Sequence, residues 1–261
     1  MTLYAFLGDI HSNRPALEAV LEEVDTLKPD IIICTGDVVG YGGDPDFCTD
    51  VIRERGIDCV QGNHDRMASN EECLDSIYPL AKTSLEWTRT HLSLVNIEFL
   101  ANLPQLIRHN GVLVSHSSFL KDHKDPYLNN LKNAYPHFFR EASRINQKTP
   151  HNRVHLGVSA HAHYPFEFST DRNFMIHPDN IHGPCVIRGG KNLSPSNIYL
   201  IINRSVGQPR DRDPTAGFTT YDSKTDQLRV HHVEYDIKAA QERIKAAGLP
   251  EKLAIRLELG R

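Results

Sequence analysis

The stretch "LYAFLGDIH", residues 3–11, joins an apolar run to a polar ending, and this combination decides the fold. Its first five residues have the composition of a buried β-strand. Gly8 then permits a sharp turn, and Asp9 and His11 follow it. Two later apolar runs end in the same way, in "TGDVVGYG" (35–42) and "QGNHD" (61–65). Because ligands of open α/β sheets bind at the carboxyl ends of the strands, the three endings predict a shared site.

Helical patterns separate these three runs. Residues 15–27 carry an apolar stripe at i, i+3, i+4 and i+7, with Pro15 suited to the first turn, and residues 46–55 form a second helical stretch. Short strands alternating with helices predict a βαβαβ unit with a parallel sheet. The fold class is therefore α/β.

The remainder of the chain is interpreted as part of the same domain, which spans residues 1–261. Helical insertions are expected near residues 66–109 and 120–150, and the Pro-, Gly- and Asn-rich segment 177–197 is expected to be a long loop, lying over the site. Met175 is assigned to the core. Further elements are predicted as helices at 71–103, 127–147 and 237–259, and as strands at 111–116, 153–165, 166–170, 198–202, 217–222 and 228–236.

Composition narrows the function classes. Lysine and arginine total 29 against 33 for aspartate and glutamate, so a net charge of -4 argues against binding to bulk nucleic acid or anionic membranes. Five cysteines without a CxxC pair are interpreted as reduced thiols. No apolar run approaches the roughly 20 residues of a membrane helix, and no secretion signal is evident. The expected location is the cytoplasm.

Polar side chains with metal-ligand chemistry follow the predicted strands. Residues i and i+2 of an extended chain project to one face, so Asp9 with His11, and His161 with His163, can each aim at one small volume. Taken singly, a strand-end aspartate is more often a turn cap, and a single histidine is more often structural. The set as a whole favours a metal site for Mn, Fe, Zn, Ni or Co. Its members are Asp9, His11, Asp37, Asn63, His116, His161 and His163.

These blocks resemble the calcineurin-like metallophosphoesterase family, and within it the small bacterial and archaeal phosphodiesterase-like group. The family pattern is GDxH, GDxx, GNH followed by an acid, an isolated His, and GHxH. The chain carries "GDIH" (8–11), "GD" (36–37), "GNHD" (62–65), "SH" (115–116) and "AHAH" (160–163). The resemblance spans residues 2–165, and "SVGQPRD" (205–211) resembles a later segment that closes the site. Ala160 stands where the family usually has glycine, which removes no ligand.

The resemblance implies a four-layer αββα sandwich of two mixed β-sheets flanked by helices. It also implies two divalent metal ions, manganese among the candidates, bridged by Asp37. Asp9, His11 and His163 would complete one site, and Asn63, His116 and His161 the other. In this arrangement a water molecule between the ions is the nucleophile that attacks phosphorus.

The resemblance implies different roles for the residues of "GNHD" (62–65). It implies that His64 protonates the departing alkoxide or stabilises the transition state, and our hypothesis is that His64 is the general acid. Asp65 either orients His64 or caps a turn, and the second role is favoured. Arg210 is a candidate for phosphate binding, with pairing to Asp211 or Asp213 as the alternative. Arg188, Lys191 and Arg14 are weaker candidates.

The second block departs from that of protein phosphatases and dinucleoside tetraphosphatases, which read GDxVDRG. Gly40 replaces an aspartate that would orient the catalytic histidine, and Tyr41 replaces a phosphate-binding arginine. The predicted activity is therefore hydrolysis of a small phosphodiester, ahead of a monoester. The alternatives are a nucleotide or dinucleoside polyphosphate hydrolase, a protein phosphatase, a nuclease, or a metal-binding regulatory protein without turnover.

Two departures from compact members of the group bear on the substrate. The segment 202–206 reads Ile-Asn-Arg-Ser-Val where related sequences usually read Asn-Pro-Gly-Ser-Val, and the missing glycine bears on backbone approach to the substrate. The chain is also longer after His116 and after His163. If the segment 177–197 narrows the pocket, deletion of residues 178–194 should change selectivity among esters and leave the metal content intact.

Overall fold

The computed structural model describes residues 1–70, 72–121, 125–149, 151–172 and 177–261. The strands are β1 (Leu3–Leu7), β2 (Ile31–Cys34), β3 (Asp58–Cys59), β4 (Leu106–His109), β5 (Val112–Ser115), β6 (Leu156–Ser159), β7 (Phe166–Asp171), β8 (His182–Val186), β9 (Gly190–Asn192), β10 (Asn197–Ile202), β11 (Ala216–Asp222) and β12 (Gln227–Val233). The helices are α1 (Arg14–Leu27), α2 (Pro45–Glu54), α3 (Asn63–Ser69), α4 (Pro79–His91), α5 (Leu94–Ala101), α6 (Leu131–Ala134), α7 (Arg140–Lys148), α8 (Ile237–Ala246) and α9 (Glu251–Glu258). Met175 lies outside the described residues.

The strands form two six-stranded mixed sheets. The first has the order β3-β2-β1-β11-β12-β9, and the second has the order β4-β5-β6-β10-β7-β8. In the first sheet β1 pairs in parallel with β2 and β2 with β3, which confirms the predicted βαβαβ unit. In the second sheet β5, β6 and β10 are parallel neighbours. The carboxyl ends of these two parallel groups carry the predicted ligands.

Alternation along the strands builds the layers. Phe6 belongs to the core between the two sheets, whereas its neighbours Ala5 and Leu7 pack on the opposite face with α1. In the second sheet Val114 faces the core between the sheets, and Leu113 packs outward against Phe138 and its neighbours. Because side chains of a strand alternate between its faces, each sheet buries both of them. The predicted four-layer arrangement of two sheets flanked by helices is confirmed.

Several elements differ from the sequence predictions. The segment 177–197 was expected to be a loop, but it contains a short 3-10 helix, Pro178–Asn180, and the strands β8 and β9, which extend opposite sheets at their edges. A deletion of residues 178–194 would therefore remove two strands as well as any effect on the pocket. The strand β4 lies where a helical insertion was expected.

The last two helices pack against the loop that follows β2. Tyr41 shares a buried cluster with residues of α8 and α9, among them Ile244 and Leu257. An ion pair of 2.6 Å joins Arg243 Nη1 to Asp44 Oδ1. The cluster and the ion pair together bring α8 and α9 close to one side of the candidate site. Within the described residues no helix combines the length and apolar character that a membrane-spanning segment requires.

Candidate metal centre

The loops that follow the strands adopt a backbone conformation that is rare for residues with side chains. Five of the seven predicted ligands have a positive φ, namely Asp9 (49°), His11 (50°), Asp37 (55°), His161 (66°) and His163 (58°). Each such residue costs on the order of 1–3 kcal/mol, and such strain is concentrated at functional sites. Backbone hydrogen bonds hold the loops together, since Asp9 N donates to Gly36 O at 2.9 Å and His11 N to Asp37 O at 3.0 Å.

One group of donor atoms comes from the segments that follow β1 and β6. Asp9, His11 and His163 place candidate ligand atoms within 4.8 Å of one another. The Nε2 atoms of the two histidines are 3.2 Å apart, and Asp9 Oδ1 lies 3.6 Å from His163 Nε2. All three side chains are buried. These residues can hold one cation.

A second group surrounds His116. Its Nε2 atom lies 3.0 Å from Asn63 Oδ1, 3.3 Å from His161 Nδ1 and 3.4 Å from Asp37 Oδ2. Asn63 reaches this position as the first residue of α3, which begins three residues before the helical insertion predicted near residues 66–109. The structure thus brings Asn63, His116 and His161 together with Asp37.

Asp37 lies between the two groups. Its Oδ2 atom is 3.6 Å from His11 Nε2 and 3.4 Å from His116 Nε2. Its Oδ1 atom accepts a hydrogen bond of 2.8 Å from the backbone N–H of His64. This position is the one expected of a ligand shared by two cations.

Backbone carbonyls orient three of the four histidines. Nδ1 of His11 contacts Val39 O at 3.0 Å, Nδ1 of His116 contacts Thr35 O at 2.9 Å, and Nδ1 of His163 contacts Gln208 O at 2.6 Å. A carbonyl oxygen only accepts, so each Nδ1 carries a proton and each Nε2 atom faces the centre. Such outer hydrogen bonds are typical of metal-binding histidines.

Three of the four histidines have charge states that suit a metal, and His116 would have to release a proton to bind one. Burial lowers the pKa of His11, His161 and His163, which favours neutral imidazoles. Burial would also lower the pKa of His116, but the carboxylate of Asp37 raises it to about 10. Asp9 Oδ2 is buried without a hydrogen-bond partner in the described part of the chain. Lone pairs and an unpaired carboxylate oxygen that face one point fit a divalent cation.

His64 lies beside the ligand groups. Its ring centroid is 4.8 Å from that of His11 and 4.6 Å from that of Tyr41. Burial lowers its pKa to about 4, and its buried Nδ1 has no partner among the described residues. His64 also has a ring nitrogen within 4.8 Å of donor atoms of His11 and Asp37, so its position suits either a ligand or an acid next to the metal.

Gly40 leaves the space that the His64 ring occupies. A Cβ atom on Gly40 would lie 2.2 Å from His64 Nδ1, and the φ of this glycine is +91°. The glycine noted as a departure from the GDxVDRG pattern is therefore required by the position of His64. An aspartate on this backbone would collide with the ring.

Replacement of Gly40 should consequently impair turnover. We expect Gly40→Ala to displace the His64 ring and to lower kcat about tenfold to a hundredfold, with unchanged metal content. Gly56→Ala is the matched control, because Gly56 also has a positive φ, 62°, but a Cβ there meets nothing within 4 Å. Steady-state rates and metal analysis of both variants test this. Wild-type turnover in Gly40→Ala would show that the position of the His64 ring does not matter.

The carboxylate of Asp65 forms hydrogen bonds with backbone N–H groups rather than with the His64 ring. This carboxylate accepts hydrogen bonds of 2.8 to 3.2 Å from the backbone N–H groups of Asp37, Val38 and Val39, and one of 2.9 Å from Gly62 N. These contacts fix the loop after β2 against the start of α3. The favoured interpretation of Asp65 as a capping residue agrees with this geometry.

Arg210 lies at the candidate site, and its expected alternative partners contact a different arginine. Arg210 Nη2 donates to Gln208 Oε1 at 2.8 Å, and Gln208 O in turn accepts from His163. Asp211 and Asp213 instead pair with Arg204, at 2.9 Å and 3.5 Å. The weaker candidates lie elsewhere: Lys191 pairs with Glu167, Arg14 pairs with Glu18, and Arg188 is exposed.

Sequence reasoning missed the contacts of Arg204 and Tyr127. Arg204 is fully buried and donates to Asp211 and to the carbonyls of Asp213, Thr215 and Ala216, which fixes the turn before β11. The Tyr127 ring stacks on His161 with centroids 4.3 Å apart. An arginine at the usual glycine position of segment 202–206 was the available signal for Arg204, but nothing near Tyr127 indicated its role.

Comparison with known proteins agrees with these motifs. The model of the calcineurin-like phosphoesterase family matches residues 3–180. The chain belongs to this family. The chain is 33% identical over 264 residues to the uncharacterized protein MJ0912 of Methanocaldococcus jannaschii, and the match covers 100% of this chain and 99% of that one.

Two solved structures have the same overall fold. The metallophosphoesterase from Sphaerobacter thermophilus aligns with a TM-score of 0.77 and 30% identity, over 100% of this chain and 99% of that chain. The hypothetical protein PH1004 from Pyrococcus horikoshii aligns with a TM-score of 0.75 and 20% identity, over the same shares of the two chains. The calcineurin-like fold is thus present over the full length of the described chain.

Proposed function

We propose that this calcineurin-like protein is a metal-dependent phosphoesterase that hydrolyses a small phosphodiester, with His64 as the general acid. The observation that carries the proposal is the convergence of seven oxygen and nitrogen donors at one edge of the two sheets, with Asp37 between the two groups. Degenerate members of an enzyme family usually lose a ligand or the acid, whereas here both are present.

Different residues would perform different parts of the proposed hydrolysis. When bound, two divalent ions would supply positive charge and an activated water nucleophile. Asp37 and the histidines would hold them in fixed positions. His64, next to His11, would donate a proton to the leaving oxygen once the bound substrate anion has raised its pKa from about 4. Arg210 would contact phosphoryl oxygens from the His163 side. Preference for a diester is supported by the departure at Gly40 and Tyr41 from the GDxVDRG enzymes.

A metal and substrate panel tests the proposal. The metal-stripped protein should be inactive, and reloading with Mn, Co, Ni, Zn, Fe or Mg should restore hydrolysis with at least one ion. Monoesters, diesters, cyclic nucleotides and dinucleoside polyphosphates should be assayed in parallel, and we expect a diester to give the highest kcat/KM. Absence of hydrolysis by a fully metallated sample would contradict the proposal. Salt-sensitive cleavage of DNA would favour a nuclease.

A further inference from the structure

The segment 125–127 lies between β5 and α6, in a part of the chain that the sequence predicts as an insertion. Its three residues contact the three parts of the chain that carry Asn63, His116 and His161, the ligands grouped with Asp37 in the second group. These ligands are far apart in the sequence, so their relative positions depend on contacts between those parts. One short segment outside the family motifs makes a contact with each of them.

Asp125 contacts the helix that begins with Asn63. Its Oδ2 atom accepts a hydrogen bond of 2.7 Å from Arg66 Nη2, and both side chains are partly buried. Arg66 lies three residues after Asn63 in α3, and it also pairs with Glu72. Residues three apart are neighbours on the surface of a helix, so the ion pair holds the end of α3 that carries the ligand.

Pro126 contacts the residue that follows His116. Its carbonyl oxygen accepts a hydrogen bond of 2.6 Å from the hydroxyl group of Ser117, which is buried. The His116 ring is oriented separately, by the contact of its Nδ1 atom with Thr35 O. The hydrogen bond to Pro126 therefore fixes the backbone next to this ligand.

Tyr127 contacts the third ligand directly. Its ring stacks on His161 with centroids 4.3 Å apart and an angle of 19° between the planes. His161 presents Nδ1 to the centre, 3.3 Å from His116 Nε2, and no backbone carbonyl contacts its ring within the described part of the chain. Stacking thus restrains this ring in place of a hydrogen bond. Tyr127 is itself held, because Leu128 is buried and Tyr127 O accepts a hydrogen bond of 2.7 Å from Asn133.

We propose that segment 125–127 positions the ligands of the second ion and thereby sets the affinity of the protein for that ion. The inference rests on the two-ion centre of the proposed function, but it requires no hydrolysis. In the other group, His11 and His163 are oriented by the carbonyls of Val39 and Gln208, which lie outside this segment. The segment should therefore affect the binding of one ion and not of the other.

Titration of the metal-stripped protein with Co²⁺ tests the inference. Calorimetry gives a dissociation constant for each ion, visible absorption reports the ligand geometry, and His161→Asn identifies the binding step of the second ion. In Tyr127→Leu the dissociation constant of the second ion should rise about tenfold, the size of effect that outer contacts of metal ligands have, with an unchanged first ion. Tyr127→Phe keeps the stacked ring and should bind both ions as the wild type does.

Two further variants make the result specific. Asp125→Asn should weaken only the second ion, by about threefold, because Arg66 keeps its pair with Glu72. Tyr78→Leu replaces another exposed tyrosine and should leave both dissociation constants unchanged.

Three results would overturn the inference. They are equal weakening of both ions in Tyr127→Leu, wild-type affinity for the second ion in that variant, and, even if Tyr127→Leu fails to fold, wild-type constants in Asp125→Asn. A wild type that binds a single ion would contradict both the two-ion centre and the inference. A wild type that binds two ions and hydrolyses no ester would contradict the proposed function alone.

Discussion

His64→Asn is expected to lower the hydrolysis of diesters with alkoxide leaving groups by about a hundredfold to ten-thousandfold, the usual contribution of a general acid. An ester that releases 4-nitrophenolate should lose about tenfold or less, because this leaving group departs without a proton. The backbone N–H of His64, which donates to Asp37 Oδ1, remains in the variant. The orientation of Asp37 is therefore expected to survive.

The metal content of His64→Asn distinguishes a general acid from a metal ligand, the two roles that the position of His64 suits. As an acid, His64 can be replaced without loss of metal, and elemental analysis should find the wild-type stoichiometry. His151→Asn, at an exposed position away from the centre, is the control and should match the wild type in rate and metal content. Loss of an ion in His64→Asn would make the residue a ligand. An equal loss of rate for both leaving groups would exclude proton donation as its main task.

Asp37→Asn is expected to lower turnover by at least about a thousandfold, since several kcal/mol of charge stabilisation depend on the shared position. The amide loses the negative charge next to both His11 and His116, and its NH₂ group must face either the His64 N–H or the ligand groups. There is little room to rearrange, because a Cβ on Gly62 would already lie 2.2 Å from Asp37 Oδ1.

Bound metal and activity should fall together in this variant. Metal analysis after dialysis, with steady-state rates at saturating metal, measures both quantities. Asp58→Asn is the matched control, since Asp58 lies on the neighbouring strand β3 with an exposed side chain. A variant of Asp37 that kept wild-type metal content and turnover would show that the carboxylate is not shared between ions.

The convergence of the donors could be predicted from sequence because each lies shortly after a strand of a parallel group. The i and i+2 spacing of Asp9 and His11 placed both residues at one edge without knowledge of the other sheet. The start of α3 at Asn63 was missed, because the capping contact of Asp65 with Gly62 N also serves a turn. Sequence patterns predict local geometry well where the contacting residues are close together in the chain.

Contacts between distant parts of the chain could not be predicted in this way. Edge strands β8 and β9 are short and rich in glycine and polar residues, so their pattern was indistinguishable from a loop. The packing of α9 against Tyr41 is such a contact, because Tyr41 is more than 200 residues earlier in the chain. The apolar periodicity of this part of the sequence predicts a helix, but it does not predict which surface the helix covers.

The place of β1 in the first sheet has a consequence for biosynthesis. Asp9 and His11 follow this strand directly, and the strand pairs on one side with β11, where Leu3 lies opposite Asp222. The loop after β1 is also held from a distance, since Ser205 Oγ donates to Asp9 O. A ribosome must therefore synthesise most of the chain before the first strand finds its second neighbour. Contacts of such high sequence separation slow folding, so the nascent chain is exposed to chaperones and proteases for longer.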